Sequence, residues 1–99
     1  MRPDEHVRTR LDRIIWIDDA GLAVAASIVV TNSRVFLMER RHVGTPKSSV
    51  VPLTSIVSAL MTPGTQPIVT AALIDGTDFR IQAPDWHELD ELRLALLPR

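Results

Sequence analysis

The sequence predicts a mainly β domain: seven short antiparallel strands in a barrel or sandwich, capped by one C-terminal amphipathic helix. Three observations predict it. Seven β-rich runs recur at intervals of about ten residues, the spacing of sandwiches and barrels rather than of parallel sheets. Short Gly-, Pro-, Asn- and Asp-bearing turns separate most of them. The last segment alone changes its apolar period from two to that of a helix.

Residues 1–11 are polar and aperiodic and read as a frayed N-terminal segment or a short helix, with the domain proper spanning 12–99. Arg13-Ile14-Ile15-Trp16-Ile17 opens the first strand, rich in β-branched and aromatic side chains. Asp18-Asp19-Ala20-Gly21 is the turn after it. The second strand covers 24–31, with Ile28-Val29-Val30 as its apolar centre. Asn32-Ser33 makes a tight turn, since Asn tolerates positive φ. The third strand runs over 34–41, with Val35, Leu37 and Glu39 on one face and Phe36, Met38 and Arg40 on the other.

A turn over 42–47 follows. Strand four covers 48–53, and Pro52 places it at an edge or a bend. Strand five covers 56–61. Two prolines and a glycine mark 62–67 as a loop. Strands six (68–74) and seven (77–82) flank Asp75-Gly76, a two-residue hairpin signal of type I′. Pro84 then precedes Asp85, an N-cap residue, with Glu88 three positions on as in a capping box. At 100° per residue, Trp86, Leu89, Leu92, Leu96 and Leu97 share one helix face, with Trp86 expected to plug an end of the barrel. Arg93 lies inside that stripe and should lay its methylenes on the core.

Ninety-nine residues suffice for one small domain. Hydrophobic residues at 45% and charged residues at 23% are those of an ordinary globular chain, not a disordered one. Eleven basic against twelve acidic residues leave a net charge of −1, poorly suited to neutralising nucleic-acid phosphates. Four aromatics are too few for a base-stacking platform. Cysteine is absent, which excludes disulfides, thiolate metal sites and thiol nucleophiles. No signal-type apolar region or membrane-length run occurs, so a soluble cytoplasmic protein is expected.

The order of seven antiparallel strands and one C-terminal helix resembles the pleckstrin-homology superfold, and the wording resembles its bacterial PH-like families. The matching stretches are Val29-Val30-Thr31-Asn32-Ser33-Arg34-Val35-Phe36-Leu37, then Val51-Pro52-Leu53-Thr54-Ser55-Ile56, then Asp75-Gly76 before the Phe79 strand and the helix. Together the resemblance spans about residues 13–97. It implies a binding module, since most members are non-catalytic, some bacterial ones form homo-oligomers and a few bind phosphoinositides. Members of the last kind carry lysines and arginines around the first hairpin loop. Here that loop contains Asp18 and Asp19, which would repel phosphate.

The remaining basic cluster is Arg40-Arg41-His42 with Lys47 and Arg34, a candidate site for phosphate or carboxylate oxygens and the alternative function, phospholipid head-group binding. A solvated loop that guards a sheet edge explains the same residues. His6, His42 and His87 lack ligand spacing, and Glu91 stands where a zinc-helix motif started by His87-Glu88 needs its second histidine. No metal and no cofactor is expected. Asp18-Asp19 reads as a turn rather than a catalytic pair. Ser48, Ser49 and Ser55 lie outside any nucleophile elbow, and the glycines form no phosphate loop.

No enzymatic function is therefore expected. The function expected is non-catalytic: a binding and assembly module for protein, including copies of itself, with no nucleic-acid partner. Strand one is apolar on both faces, and mean hydropathy is slightly positive at +0.11. Ile15, Trp16 and Ile17 are accordingly the expected homo-oligomer contact.

Overall fold

The computed structural model describes residues 3–17, 20–40 and 48–97. Seven antiparallel strands form one sheet: β1 (Val7–Ile17), β2 (Ala23–Thr31), β3 (Arg34–Glu39), β4 (Ser48–Pro52), β5 (Ile56–Thr62), β6 (Ile68–Leu73) and β7 (Asp78–Gln82). A single 3-10 turn, Leu53–Ser55, joins β4 to β5, and α1 (Trp86–Leu96) ends the chain. The sheet order is β4-β3-β2-β1-β7-β6-β5. The sheet is not closed: β4 and β5 are its two edges. Pro52 lies in one of them, where a missing N–H costs no ladder bond.

β1 starts at Val7, six residues before the expected strand, so the polar segment 1–11 is not wholly frayed. The reason it escaped the pattern is a register shift between Leu11 and Ile14. The irregularity turns Asp12 and Arg13 both outward and Leu11 and Ile14 both inward. Alternation is broken at that point, and the eye loses the strand. β1 pairs with β2 along most of its length but with β7 only at Ile15–Gln82, Trp16–Ile81 and Ile17–Arg80. Its first half therefore departs from β7. The helix packs against this half of the molecule, touching β1, β2, β5 and β6, and Arg8 Nη1 donates to the Ala95 carbonyl at 3.4 Å.

The core lies between the inner sheet face and α1. Ile28, Val30, Val35, Leu37, Val69 and Ile81 from the strands meet Leu89, Leu92 and Leu96 from the helix, all essentially inaccessible. Each such side chain contributes roughly 1.5–3 kcal/mol on burial. Asp85 caps the helix as expected, accepting from His87 N at 2.8 Å and Glu88 N at 3.2 Å. Arg93 is half-buried and turns its head to Asp90 at 2.9 Å.

Trp86 is not the plug expected of it. It stays 48% exposed in the first helical turn, edge-on to the His87 ring at 5.0 Å, while Ala95 takes a core position instead.

Two turns also differ from their expected chemistry. Type I′ requires positive φ at both central residues. Gly76 has φ 89°, but no residue other than glycine has positive φ among those described, so Asp75 does not. The hairpin instead has a three-residue loop: Gly76 N bonds the Leu73 carbonyl and Leu73 N bonds the Thr77 carbonyl, the pattern of a turn followed by a left-handed glycine. Asp75 Oδ1 accepts from Thr77 N at 3.0 Å and Thr77 Oγ1 at 2.6 Å, which holds this geometry. Asn32 likewise needs no positive φ. The Thr31 hydroxyl accepts from Ser33 N at 3.2 Å and Arg34 N at 3.0 Å and sets that turn itself.

Candidate functional site

Arg34, one member of the basic cluster, already has a partner within the chain. That guanidinium belongs to Glu5. Arg34 Nε donates to Glu5 Oε2 at 3.0 Å and Nη2 to Oε1 at 2.9 Å, a bidentate pair. The Glu5 side chain is 1% exposed. It also accepts from Thr31 Oγ1 at 2.5 Å and Ser33 Oγ at 2.7 Å. The hydrogen bonds that Arg34 donates to Glu5 raise its pKa above the ordinary value; desolvation opposes this and the carboxylate charge adds to it. Arg34 also lies over the Phe36 ring, 4.9 Å from its centroid. Its charge is thus already answered within the chain.

The same network seats the N-terminal residues. Asn32 Nδ2 donates to the Asp4 carbonyl at 3.0 Å, His6 N donates to Asn32 Oδ1 at 3.0 Å, and Asn32 N donates to the His6 carbonyl at 3.1 Å. Glu5 escaped sequence reasoning, because one acid in a polar segment is unremarkable until its partners are known. Arg41, His42 and Lys47 lie outside the described residues, as do Asp18 and Asp19. Of the candidate cations, Arg40 remains, exposed at the end of β3.

The three residues expected at an oligomer contact separate by parity. Trp16 faces inward and packs against the core, its Nε1 buried without a hydrogen-bond partner. Ile15 is outward and 37% exposed, and Ile17 is half-buried. β1 is paired on both sides, so neither presents a free strand edge.

The more exposed apolar side chains lie elsewhere. Val50 on β4 is 52% exposed; Val57 and Leu60 on β5 are 58% and 68% exposed. These are the two edge strands, and both lie inside residues 48–74, a segment with no charged residue. Sheet edges are ordinarily guarded by charge, by proline or by brevity. β4 has Pro52 and only five residues; β5 has seven and neither device.

The β5 backbone can be read from the ladder. Each residue of an antiparallel strand points its N–H and C=O to the same side, and the side alternates. Leu73 N bonds Thr77 and so points to β7, whereas Ile74 N bonds the Ser55 carbonyl on the other side. Ala72, Thr70 and Ile68 therefore point to β5, opposite Ser58, Leu60 and Thr62. Ala59 and Met61 then turn their N–H and C=O groups away from the sheet, Ala59 being buried and Met61 half-buried.

A groove of about 470 Å³ runs over the end of β1, β2 and β7. Arg13, Ile14, Ile15, Ala25 and Arg40 line one part, and Gln66, Gln82, Ala83 and Pro84 the other. Gln82 Nε2 donates to Gln66 Oε1 at 2.9 Å and ties the 62–67 loop to the end of β7. No acidic side chain among the described residues lines it.

His6 and His87 are both exposed and on different elements, and no three acidic or histidine side chains among the described residues converge to hold a metal ion. Among the described residues no helix is long and apolar enough to cross a membrane. No protein-family model matches the chain, and no curated protein matches it.

Proposed function

We propose that the chain is a non-catalytic binding and assembly module, of the PH-like kind its sequence resembles, that associates with protein through the edge of β5. The partner it fits most simply is a second copy of itself. One observation carries this reading: the edge strand β5 lies in an uncharged segment, with Val57 and Leu60 exposed on it and the Met61 backbone turned away from the sheet. A twofold contact sets a strand against its own copy, so any charge on it would meet a like charge. β5 has none. Antiparallel β5–β5 pairing would supply the missing ladder bonds and cover both apolar side chains.

The head-group alternative is weaker, since Arg34 is committed to Glu5 and Arg40 is its one cation among the described residues. Light scattering at high micromolar concentration tests the association. The expected mass is a multiple of 11.0 kDa, falling to 11.0 kDa for Leu60→Lys with an unchanged circular-dichroism spectrum. An unmodified protein of 11.0 kDa at that concentration refutes the proposal. So does a Leu60→Lys variant that keeps the larger mass.

A further inference from the structure

The groove at the end of β1, β2 and β7 has the chemistry of a ligand site. Two local features build it. The irregularity between Leu11 and Ile14 brings Arg13 to the outer surface beside Ile14 and Ile15. The bond from Arg40 N to the Ala25 carbonyl, 2.8 Å, continues the β2–β3 ladder past the end of β3 and sets Arg40 beside Ala25. Ala25 in turn pairs with Ile15. A small side chain between Ile15 and Arg40 leaves a depression that any larger residue would fill.

Apolar Ile15, Ala25, Ala83 and Pro84 line it, together with the mutually hydrogen-bonded amides of Gln66 and Gln82. Among the described residues the charges on the rim are both positive, and neither Arg13 nor Arg40 forms an ion pair there. At about 470 Å³ the groove falls within the range of small-molecule sites, roughly 300–1,000 Å³. An apolar cleft with two unneutralised guanidiniums at its mouth favours a molecule with an apolar body and an anionic end. Guanidinium forks match carboxylate and phosphate oxygens in shape as well as charge.

We infer that this groove binds a small amphiphilic anion, its carboxylate or phosphate held by Arg13 and Arg40 and its hydrocarbon body laid along Ile15, Ala25 and Pro84. The site is separate from the β5 edge and stands whether or not the chain self-associates. It differs from the basic-cluster reading in needing an apolar body on the ligand and in using Arg13, a residue that reading left out.

Titration of the ¹⁵N-labelled protein with decanoate below its micelle concentration tests this. Decyl phosphate, decanol and succinate serve as comparison ligands. The expected result is saturable shifts of the Arg13, Ile15, Ala25 and Arg40 amides at about millimolar decanoate. Decanol and succinate should each bind at least roughly tenfold more weakly, one lacking the charge and the other the body. Decyl phosphate that binds like decanoate assigns the head-group preference to charge; tighter binding by either assigns it to that head group, and both outcomes support the site. Arg13→Gln and Arg40→Gln should each weaken decanoate by about tenfold and flatten its salt dependence. Ala25→Leu, at an exposed position outside the core, should abolish binding while the spectrum stays folded. Binding of decanol as tight as that of decanoate overturns the inference. So does decanoate binding that Ala25→Leu leaves unchanged.

Discussion

Replacing Thr31 by Val tests the Glu5 clamp with the least disturbance of shape. Thr31 is 0% exposed, and valine matches it in volume and in strand preference, so no cavity opens and β2 keeps its propensity. What is lost is one hydroxyl with three partners. It donates to Glu5 Oε2 at 2.5 Å and accepts from Ser33 N and Arg34 N at 3.2 and 3.0 Å. A hydrogen bond to a charged group is worth about 1.5–3 kcal/mol net, and a neutral one about 0.5–1.5 kcal/mol. The carboxylate keeps Ser33 Oγ and Arg34, which softens the first loss. The two backbone N–H groups are part-buried and regain some water.

A total near 3 kcal/mol follows, a large share of the roughly 5–15 kcal/mol that holds a domain together. For a domain this size, that lowers the melting temperature by about 12–24 °C, read by calorimetry. A drop below about 3 °C refutes the reasoning. The double variant Thr31→Val, Glu5→Gln adds a sharper test. In one network the two losses should fail to add by at least about 0.5 kcal/mol, and strict additivity would show that Thr31 and Glu5 do not work as a unit.

The other predictions concern the helix and the last hairpin. Leu92→Ala should cost about 2–5 kcal/mol in urea denaturation, and Trp86→Ala distinctly less, because Leu92 is inaccessible and Trp86 half-exposed; equal costs would restore Trp86 to a core role. Asp85→Ala removes acceptors from two first-turn N–H groups and should cost about 1 kcal/mol, with no change expected if the cap is idle. The Thr77 hydroxyl, and then its N–H, hold the Asp75 carboxyl below its ordinary pKa. A lowered native pKa means a contribution that is present above the unfolded value, about 3.9, and lost as pH falls through the native one. Unmodified protein should therefore exceed Asp75→Asn in urea midpoint at neutral pH, with the gap closing in strong acid. A gap independent of pH would refute this account of Asp75.

The fold was legible because its signals are local and repeated. Pro52 marked an edge, Asp85 marked a helix start, and the change of period after Pro84 separated α1 from the strands. The failures have physical causes of the same scale. At Leu11 to Ile14 two consecutive outward residues break the alternation that identifies a strand, and β1 looked shorter than it is. Asp-Gly read as type I′, yet the Thr77 bonds to Asp75 favour a longer loop with one left-handed residue rather than two. A helical wheel ranks Trp86 with Leu89, but it cannot report that the fold covers the second and leaves the first half-exposed.

The site was less legible, since a sequence shows where charges are but not which of them are already spent. Arg34 and Arg40 look alike in sequence, six positions apart. The fold brings Glu5 across from the other end of β1 to Arg34, and with Thr31 and Ser33 closes a network around its carboxylate. Arg40, just beyond β3, lies beside Ala25 at a groove with no acid among its described residues. Arg13 went unnoticed because it appeared to begin a strand, whereas it sits at the irregularity within one and is turned to the same groove. Uncharged edges tell the converse story: residues 48–74 advertise no chemistry at all, and only the sheet order reveals that the gap in charge falls on both exposed borders. A functional reading of this chain therefore rests on the polar groups that the fold turns outward among the described residues, the outer edge of β5 and the two guanidiniums at the groove foremost.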